Sequence, residues 1–179
     1  MIEDGQKPKK IRIPKKITPQ RLKNIALYYL KRFDSSKDNL RQVLRRRVSD
    51  YAYHNPEWHK EEAYEWIESL LVDFERLGYL DDRRYAEIKV KNYVSAGKSA
   101  RYIAGKLKQK GIDEGQISCL LEEQEYNPFG SALHFACKKG IGPFRPIEKR
   151  EECRQKDMGT LLRAGFDYEI VQNVLSYDV

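Results

Sequence analysis

Residues 107–113 read LKQKGID and residues 161–167 read LLRAGFD, so leucine, glycine, a large apolar residue and aspartate recur at one offset. The apolar positions that follow also coincide: Ile117, Leu120 and Leu121 fall on Val171, Val174 and Leu175. The match covers a helix, its glycine stop, the N-cap of the next helix and that helix's apolar stripe. It therefore predicts a repeated helical unit.

A looser copy of this unit precedes the other two. The aligned apolar positions are Leu40 with Ile103, Leu44 with Leu107, and Ile67, Leu70 and Leu71 with Ile117, Leu120 and Leu121. Three copies of a short helical unit predict an all-α fold of three tandem three-helix repeats, which would form an elongated or curved array. The expected boundaries are a disordered basic arm over residues 1–17 and repeats over residues 18–80, 81–125 and 126–179.

Capping residues and helix breakers predict where individual helices begin and end. Thr18 followed by Pro19 is typical of a helix start. The other expected N-caps are Ser35 or Ser36, Asp81 or Asp82, Ser99, and Asp113. A loop is expected over residues 50–58, where the apolar periodicity is interrupted, and a turn over residues 140–143, which read GIGP.

Composition favours a binding protein with an anionic partner. Lys and Arg total 34 against 27 Asp and Glu, a net charge of +7, which favours polyanions such as nucleic acid. The three cysteines and three histidines have no metal-ligand spacing, so we expect neither metal nor cofactor. Phosphate-loop, dinucleotide and nucleophile-elbow motifs are absent from the sequence, which argues against an enzyme. No apolar run is long enough to span a membrane and no secretory leader is recognisable, so a cytoplasmic location is expected.

Positive charge is concentrated between Ile88 and Ile112, where seven cations occur without an acidic residue: Lys89, Lys91, Lys98, Arg101, Lys106, Lys108 and Lys110. A helix over residues 99–110 would carry Arg101 and Lys108 on one flank of its apolar stripe and Lys106 and Lys110 on the other. Tyr102 faces away from that stripe and could stack on a base or a partner. The candidate binding residues are therefore Lys98, Arg101, Tyr102, Lys106, Lys108 and Lys110, with Arg45 and Arg47 at the matching places of the first repeat. The competing interpretation is an ordinary solvated helix flank.

Three motifs make the chain similar to the RecX family of recombinase regulators. Residues 77–86 (LGYLDDRRYA) resemble the family's central signature, continued by residues 97–103 (GKSARYI) and 107–112 (LKQKGI), and residues 161–168 (LLRAGFDY) resemble its closing motif. The long aromatic segment after Val48 and the proline-containing segment 140–147 depart from the family pattern.

The resemblance implies three tandem three-helix repeats and a non-enzymatic protein without cofactors. Members of the family bind the RecA recombinase filament, usually in its groove, and restrain its strand exchange, ATPase and co-protease activities in DNA repair. The implied partner is thus the RecA filament. Contact with single- or double-stranded DNA is compatible with this role because the filament contains DNA, and we expect the protein to act as a monomer. The alternative that the residues leave open is a direct DNA-binding regulator of the helix-turn-helix type, in which one three-helix unit enters the major groove.

Overall fold

A computed structural model of the chain describes residues 14–178, in which it forms helices and no strand. The helices are α1 (Pro19–Leu30), α2 (Lys37–His54), α3 (Glu61–Arg76), α4 (Asp82–Ser95), α5 (Ala100–Lys108), α6 (Glu114–Glu123), α7 (Pro128–Lys139), α8 (Ile147–Arg163) and α9 (Tyr168–Leu175), with a 3₁₀ turn at Gly142–Phe144. The all-helical prediction is confirmed. Most of the predicted basic arm, residues 1–13, lies outside the described residues, but Ile17 at its end is only 4% exposed.

The predicted caps start the helices, and both alternatives that the sequence left open are resolved. Ser36, not Ser35, accepts the Asn39 backbone N–H on its Oγ at 3.2 Å. Asp81 caps α4 by accepting the Arg84 N–H at 2.9 Å. Asp82 has a different role, because its Oδ1 accepts the Lys37 backbone N–H at 2.7 Å.

The predicted loop over residues 50–58 is wrong in its first half, because α2 continues to His54. Tyr51, which is half-buried, follows Val48 on the same face of the helix, and its ring packs edge-on against Trp58 with centroids 4.9 Å apart. The amide of Asn55 then donates to the Tyr51 carbonyl at 2.9 Å, which satisfies an acceptor at the end of the helix. In the second repeat the error is opposite: α5 stops at Lys108, so Lys110 lies beyond the helix.

The described residues fall into two compact units, the first formed by residues 14–33 and 40–79. Its buried side chains come from all three helices: Leu22 and Ala26 of α1, Leu40, Leu44 and Val48 of α2, and Ala63, Ile67, Leu71 and Phe74 of α3. The alignment of the third helices holds only in part, since α3 buries Leu71 whereas α6 buries Leu120. The longer α3 has Phe74 as its last buried position, and the spacing of Ile67, Leu71 and Phe74 keeps one helical stripe.

The second unit comprises residues 34–39 and 80–178 and contains two apolar clusters. One joins α4, α5 and α6, and the other joins α7, α8 and α9. Leu107 occupies the first cluster and Leu161 the second, both almost completely buried. The two leucines are therefore equivalent core positions, as the repeated sequence predicts.

One arrangement, which we call a serine joint, occurs twice in the second unit. In the first serine joint, the Ser36 hydroxyl donates to the Lys110 carbonyl at 2.6 Å. In the second, the Ser99 hydroxyl donates to the Ala164 carbonyl at 2.7 Å. The next residues are Gly111 and Gly165, whose φ angles of +76° and +91° are in the left-handed region. A serine that caps one helix thus also satisfies a carbonyl at the end of another.

The proline-containing segment of the third repeat is held by a buried carboxylate. Asp157, 1% exposed, accepts the Gly142 backbone N–H at 2.9 Å and two bonds from Arg145 at 2.6 and 2.8 Å. Arg150 donates to the Pro143 carbonyl at 2.6 Å. Burial tends to raise the pKa of Asp157, but the bonds from Arg145 and Gly142 outweigh it and the pKa lies below its usual value. The turn predicted over residues 140–143 is confirmed and is tied to α8.

Candidate partner-binding surface

The start of α5 is held from two sides, which fixes the side chains that follow it. The Ser99 hydroxyl accepts the Tyr102 backbone N–H at 3.1 Å while it donates in the second serine joint. The Tyr126 hydroxyl accepts the Ala100 N–H at 2.9 Å and lies 3.2 Å from the Lys98 carbonyl, to which it donates. Burial raises the pKa of Tyr126, so the hydroxyl keeps its proton at neutral pH. The first turn of α5 is therefore a rigid platform.

A cluster of lysine and tyrosine side chains lies on this platform. The ammonium of Lys98 is 5.1 Å from the centre of the Tyr102 ring, and that of Lys106 is 5.6 Å from it. Lys106 lies one helical turn after Tyr102 on α5, whereas Lys98 precedes the N-cap residue Ser99 and approaches the ring from before the helix. The Tyr93 ring of α4 meets Tyr102 edge-on with centroids 5.6 Å apart. We call these four residues the Tyr102 cluster.

The Tyr102 cluster remains accessible and positively charged. Tyr102 is 36% exposed, and among the described residues neither Lys98 nor Lys106 forms an ion pair with a carboxylate. Burial, together with the neighbouring Tyr102, raises the pKa of Tyr93 and keeps its hydroxyl neutral. Two cations beside a ring also make favourable cation–π contacts, which hold the lysines near the ring. The cluster presents two cations and an aromatic edge to a partner.

Further cations lie on α4 and α5. Lys89 lies 5.3 Å from the centre of the Tyr85 ring on the same helix. Lys91 and Arg101 are exposed, and Arg101 passes beside Gly165 of the second serine joint. The second unit therefore combines basic and aromatic side chains on the two helices that Tyr93 and Tyr102 connect.

Two of the predicted binding lysines have partners within the protein. Lys108 forms an ion pair with Glu114 at 2.8 Å, in which both side chains are exposed. Lys110 donates to the Asn39 amide oxygen at 2.6 Å and supports the first serine joint. A count of charges along the sequence does not reveal these contacts, because Glu114 and Asn39 lie outside the stretch from Ile88 to Ile112 that lacks acidic residues.

The two arginines predicted in the first repeat diverge, since neighbours two apart on a helix face different ways. Arg45 lies 3.1 Å from Glu68 and 5.2 Å from the Tyr64 ring. The hydrogen bond from Arg41, with both arginines' charge, lowers the pKa of Glu68, which therefore remains ionised at neutral pH. Arg47 instead lines a cleft of the first unit. The structure does not place these two arginines on a common face.

Within residues 14–178 no group of three or more His, Cys, Asp or Glu side chains could hold a metal ion. The cysteines are free thiols; Cys119 and Cys137 are exposed and Cys153 is half-buried. No helix in the described part of the chain has the length and apolar character needed to cross a bilayer.

Comparison with known proteins identifies the repeat and its relatives. A family model described as the second three-helix domain of RecX matches residues 81–121, which contain α4, α5 and most of α6. The chain is 36% identical over 176 residues to the Regulatory protein RecX of Myxococcus xanthus (strain DK1622), covering 96% of this chain and 93% of that protein. It is 38% identical over 97 residues to that of Agrobacterium fabrum (strain C58), covering 54% of this chain and 52% of that protein. The crystal structure of RecX from Lactobacillus salivarius has the same fold, with a TM-score of 0.62 and 20% identity over 88% of this chain and 94% of that one.

Proposed function

The chain belongs to the RecX family of regulatory proteins, and we propose that it binds the RecA recombinase filament and inhibits it without catalysing a reaction. Binding in the filament groove would restrain strand exchange, ATP hydrolysis and co-protease activity together. The family membership and the helical repeat support this role.

The Tyr102 cluster is the observation that carries the proposal. A filament presents DNA phosphates and acidic side chains, and uncompensated cations are complementary to both. Tyrosine is enriched among the residues that dominate binding energies, and Tyr102 lies on a helix whose first turn is already fixed. A preordered aromatic anchor loses little conformational entropy on binding. We therefore propose Lys98, Tyr102 and Lys106 as the contact residues, with Arg101 beside them.

The test is a titration of the protein into RecA–single-stranded DNA filaments while ATP hydrolysis is followed. Reversing both charges of the cluster, as Lys98→Glu with Lys106→Glu, replaces attraction by repulsion and should weaken inhibition about tenfold or more. These positions serve better than Lys108, because reversal of Lys108 would also break its ion pair with Glu114. Tyr102→Ala should weaken inhibition, whereas Tyr102→Phe retains the ring and should inhibit like the parent.

The matched control is Lys138→Glu with Lys139→Glu on α7, since both lysines are exposed and the net charge changes equally. Equal loss of inhibition in the control would mean that net charge, and not the cluster, determines binding. Full inhibition by the cluster variant would exclude this surface. The same titration with DNA alone addresses the helix-turn-helix alternative: sequence-specific DNA binding without an effect on the ATPase would favour it.

A further inference from the structure

A cleft in the first unit carries cations that the proposed filament surface does not use. Two adjoining depressions between α1 and α2, of about 530 and 740 Å³, share Arg21, Ile25 and Arg47 in their lining. Tyr28 lines the first depression and Tyr53 the second. We call this the α1–α2 cleft.

The central arginines of the cleft have no compensating carboxylate. Among the described residues Arg21 and Arg47 form no ion pair, and the Arg21 Nε is buried without a hydrogen-bond acceptor. Lys15 adds a third cation to the lining, against one carboxylate, Asp50. On the same helix α2, by contrast, Arg41 and Arg45 share the carboxylate of Glu68, at 2.9 and 3.1 Å. The cleft is therefore a cationic site whose two central arginines lack the ion pair that Arg41 and Arg45 have.

Exposed aromatic rings lie beyond the two arginines. Tyr28 is 64% exposed and Tyr53 is 83% exposed, so neither ring serves the core. The Arg32 guanidinium bonds the Tyr28 hydroxyl at 2.8 Å and lies 5.2 Å from its ring centre, which adds a further cation at this end. His54 meets the Tyr53 ring edge-on, with centroids 5.3 Å apart. Each depression thus combines the shared arginines with one exposed ring.

We propose that the α1–α2 cleft binds single-stranded nucleic acid, with phosphates on Arg21 and Arg47 and bases stacked on Tyr28 and Tyr53. A cationic groove with aromatic rings along it is the arrangement by which proteins hold single strands without reading their sequence. From Thr18 to Tyr28 the helix α1 advances about 15 Å, which suits a segment of a few nucleotides.

Two other occupants fit the cleft less well. Residues 1–13 precede it but carry Lys7, Lys9, Lys10 and Arg12 against Glu3 and Asp4, so their charge has the same sign as the cleft. An acidic protein segment would satisfy the arginines but would leave the two tyrosine rings without a stacking partner. A single strand of nucleic acid can contact both the arginines, through its phosphates, and the tyrosine rings, through its bases. The proposal goes beyond filament inhibition and requires no recombinase.

The test measures binding of a fluorescein-labelled thymidine 12-mer to the full chain by fluorescence anisotropy over a series of salt concentrations. Arg47→Gln should weaken binding at least threefold and reduce the slope of log K against log salt by about 0.7, the value for one phosphate contact on a single strand. Tyr53→Ala should weaken binding about fivefold or more through lost stacking. Both side chains are exposed, so the circular dichroism spectrum and the urea midpoint should remain those of the parent.

Arg46→Gln and Tyr168→Ala are the matched controls, because Arg46 is an exposed neighbour on α2 outside the cleft lining and Tyr168 is an exposed tyrosine on α9. Both should bind the 12-mer within twofold of the parent. Four results would overturn the proposal. The first three are no binding by the parent, equal losses in Arg46→Gln and Arg47→Gln, and displacement of the 12-mer by a lower concentration of polyglutamate than of unlabelled 12-mer. The fourth is loss of 12-mer binding in the Lys98→Glu, Lys106→Glu variant but not in Arg47→Gln or Tyr53→Ala. Failure of RecA inhibition, by contrast, would leave these binding measurements unchanged.

Discussion

From the first serine joint we predict that Gly78 and Gly111, which have the same backbone conformation, differ sharply in the stability that each loses on substitution by alanine. Gly78 and Gly111 have φ angles of +75° and +76°. An added Cβ at Gly78 would meet nothing within 4 Å, whereas at Gly111 it would clash with the Asp38 Cβ and come within 3.0 Å of its Cγ. The pair therefore separates backbone strain from the close approach of Asp38.

The magnitude follows from these contacts. Left-handed backbone costs alanine about 1–2 kcal/mol, and the reduced freedom of the unfolded chain returns about 0.4–1 kcal/mol, so Gly78→Ala should lose about 1 kcal/mol. Gly111→Ala has the same terms and must also displace Asp38. That displacement strains or breaks the Ser36–Lys110 bond of 2.6 Å and the Lys110–Asn39 bond of 2.6 Å. Each such bond contributes about 0.5–1.5 kcal/mol, so the total loss should be about 2–4 kcal/mol.

Urea denaturation followed by circular dichroism measures both variants against the parent, with the m-value checked for constancy. A second substitution, Ser36→Ala, provides an internal check. Combined with Gly111→Ala, it should cost less than the sum of the two single losses, because both act on the same hydrogen bond. If the two glycine variants lose the same stability within about 0.5 kcal/mol, the normal scatter for independent sites, the close approach of Asp38 to Gly111 does not exist in solution.

Three further predictions concern the second unit. Ser99→Ala should lose about 1–2 kcal/mol by urea denaturation, since the residue caps α5 and also satisfies the Ala164 carbonyl, while Ser118→Ala on the exposed face of α6 should change stability by less than about 0.5 kcal/mol. Leu107→Ala and Leu161→Ala should each cost about 2–5 kcal/mol, and a midpoint equal to that of the parent in either would contradict their equivalence in the core. Asp157→Asn should cost about 3 kcal/mol at neutral pH because it leaves Arg145 half-buried without its counterion. The pKa of Asp157 in the folded protein lies below its usual value of 3.8. The stabilisation by the Asp157–Arg145 pair is therefore complete above that pH and is lost as the pH falls further. When the free energy of unfolding is measured from pH 6 to pH 2, it should fall less steeply below pH 4 in Asp157→Asn than in the parent.

The sequence predicts the fold well because the repeat and its caps are local signals. Ser99 and Asp113 both accept backbone N–H groups as expected, and Leu107 is buried. The error at residues 50–58 has a tertiary cause: the tyrosine-rich sequence of α2 continues as helix because Tyr51 packs against Trp58 after the chain has turned. The helix propensities of the residues along the sequence do not reveal the contact between Tyr51 and Trp58.

The candidate surface was only partly predictable. The sequence singles out Lys98, Tyr102 and Lys106 as candidates, but it does not show that Lys98 reaches the Tyr102 ring from before α5. The Tyr93 ring that contacts Tyr102 comes from another helix. Lys110 was assigned to the surface because its stretch lacks acids, yet its partner, Asn39, lies 71 residues away. Local charge thus identifies the region that carries binding residues, and only the tertiary contacts separate the lysines that are free from those that hold the fold.

The serine joint also explains why the repeats are not interchangeable. At the offset that aligns Leu44 with Leu107, Val48 stands at the place of Gly111, and at the offset that aligns Leu107 with Leu161, Cys153 stands at the place of Ser99. Val48 is buried within α2, where a β-branched residue does not adopt left-handed backbone, and Cys153 lies inside α8, where no helix begins. The first repeat therefore lacks the glycine that receives a joint, and the third lacks the serine that makes one. A second copy of the chain finds no matching surface at either place, and we expect copies not to join through this contact.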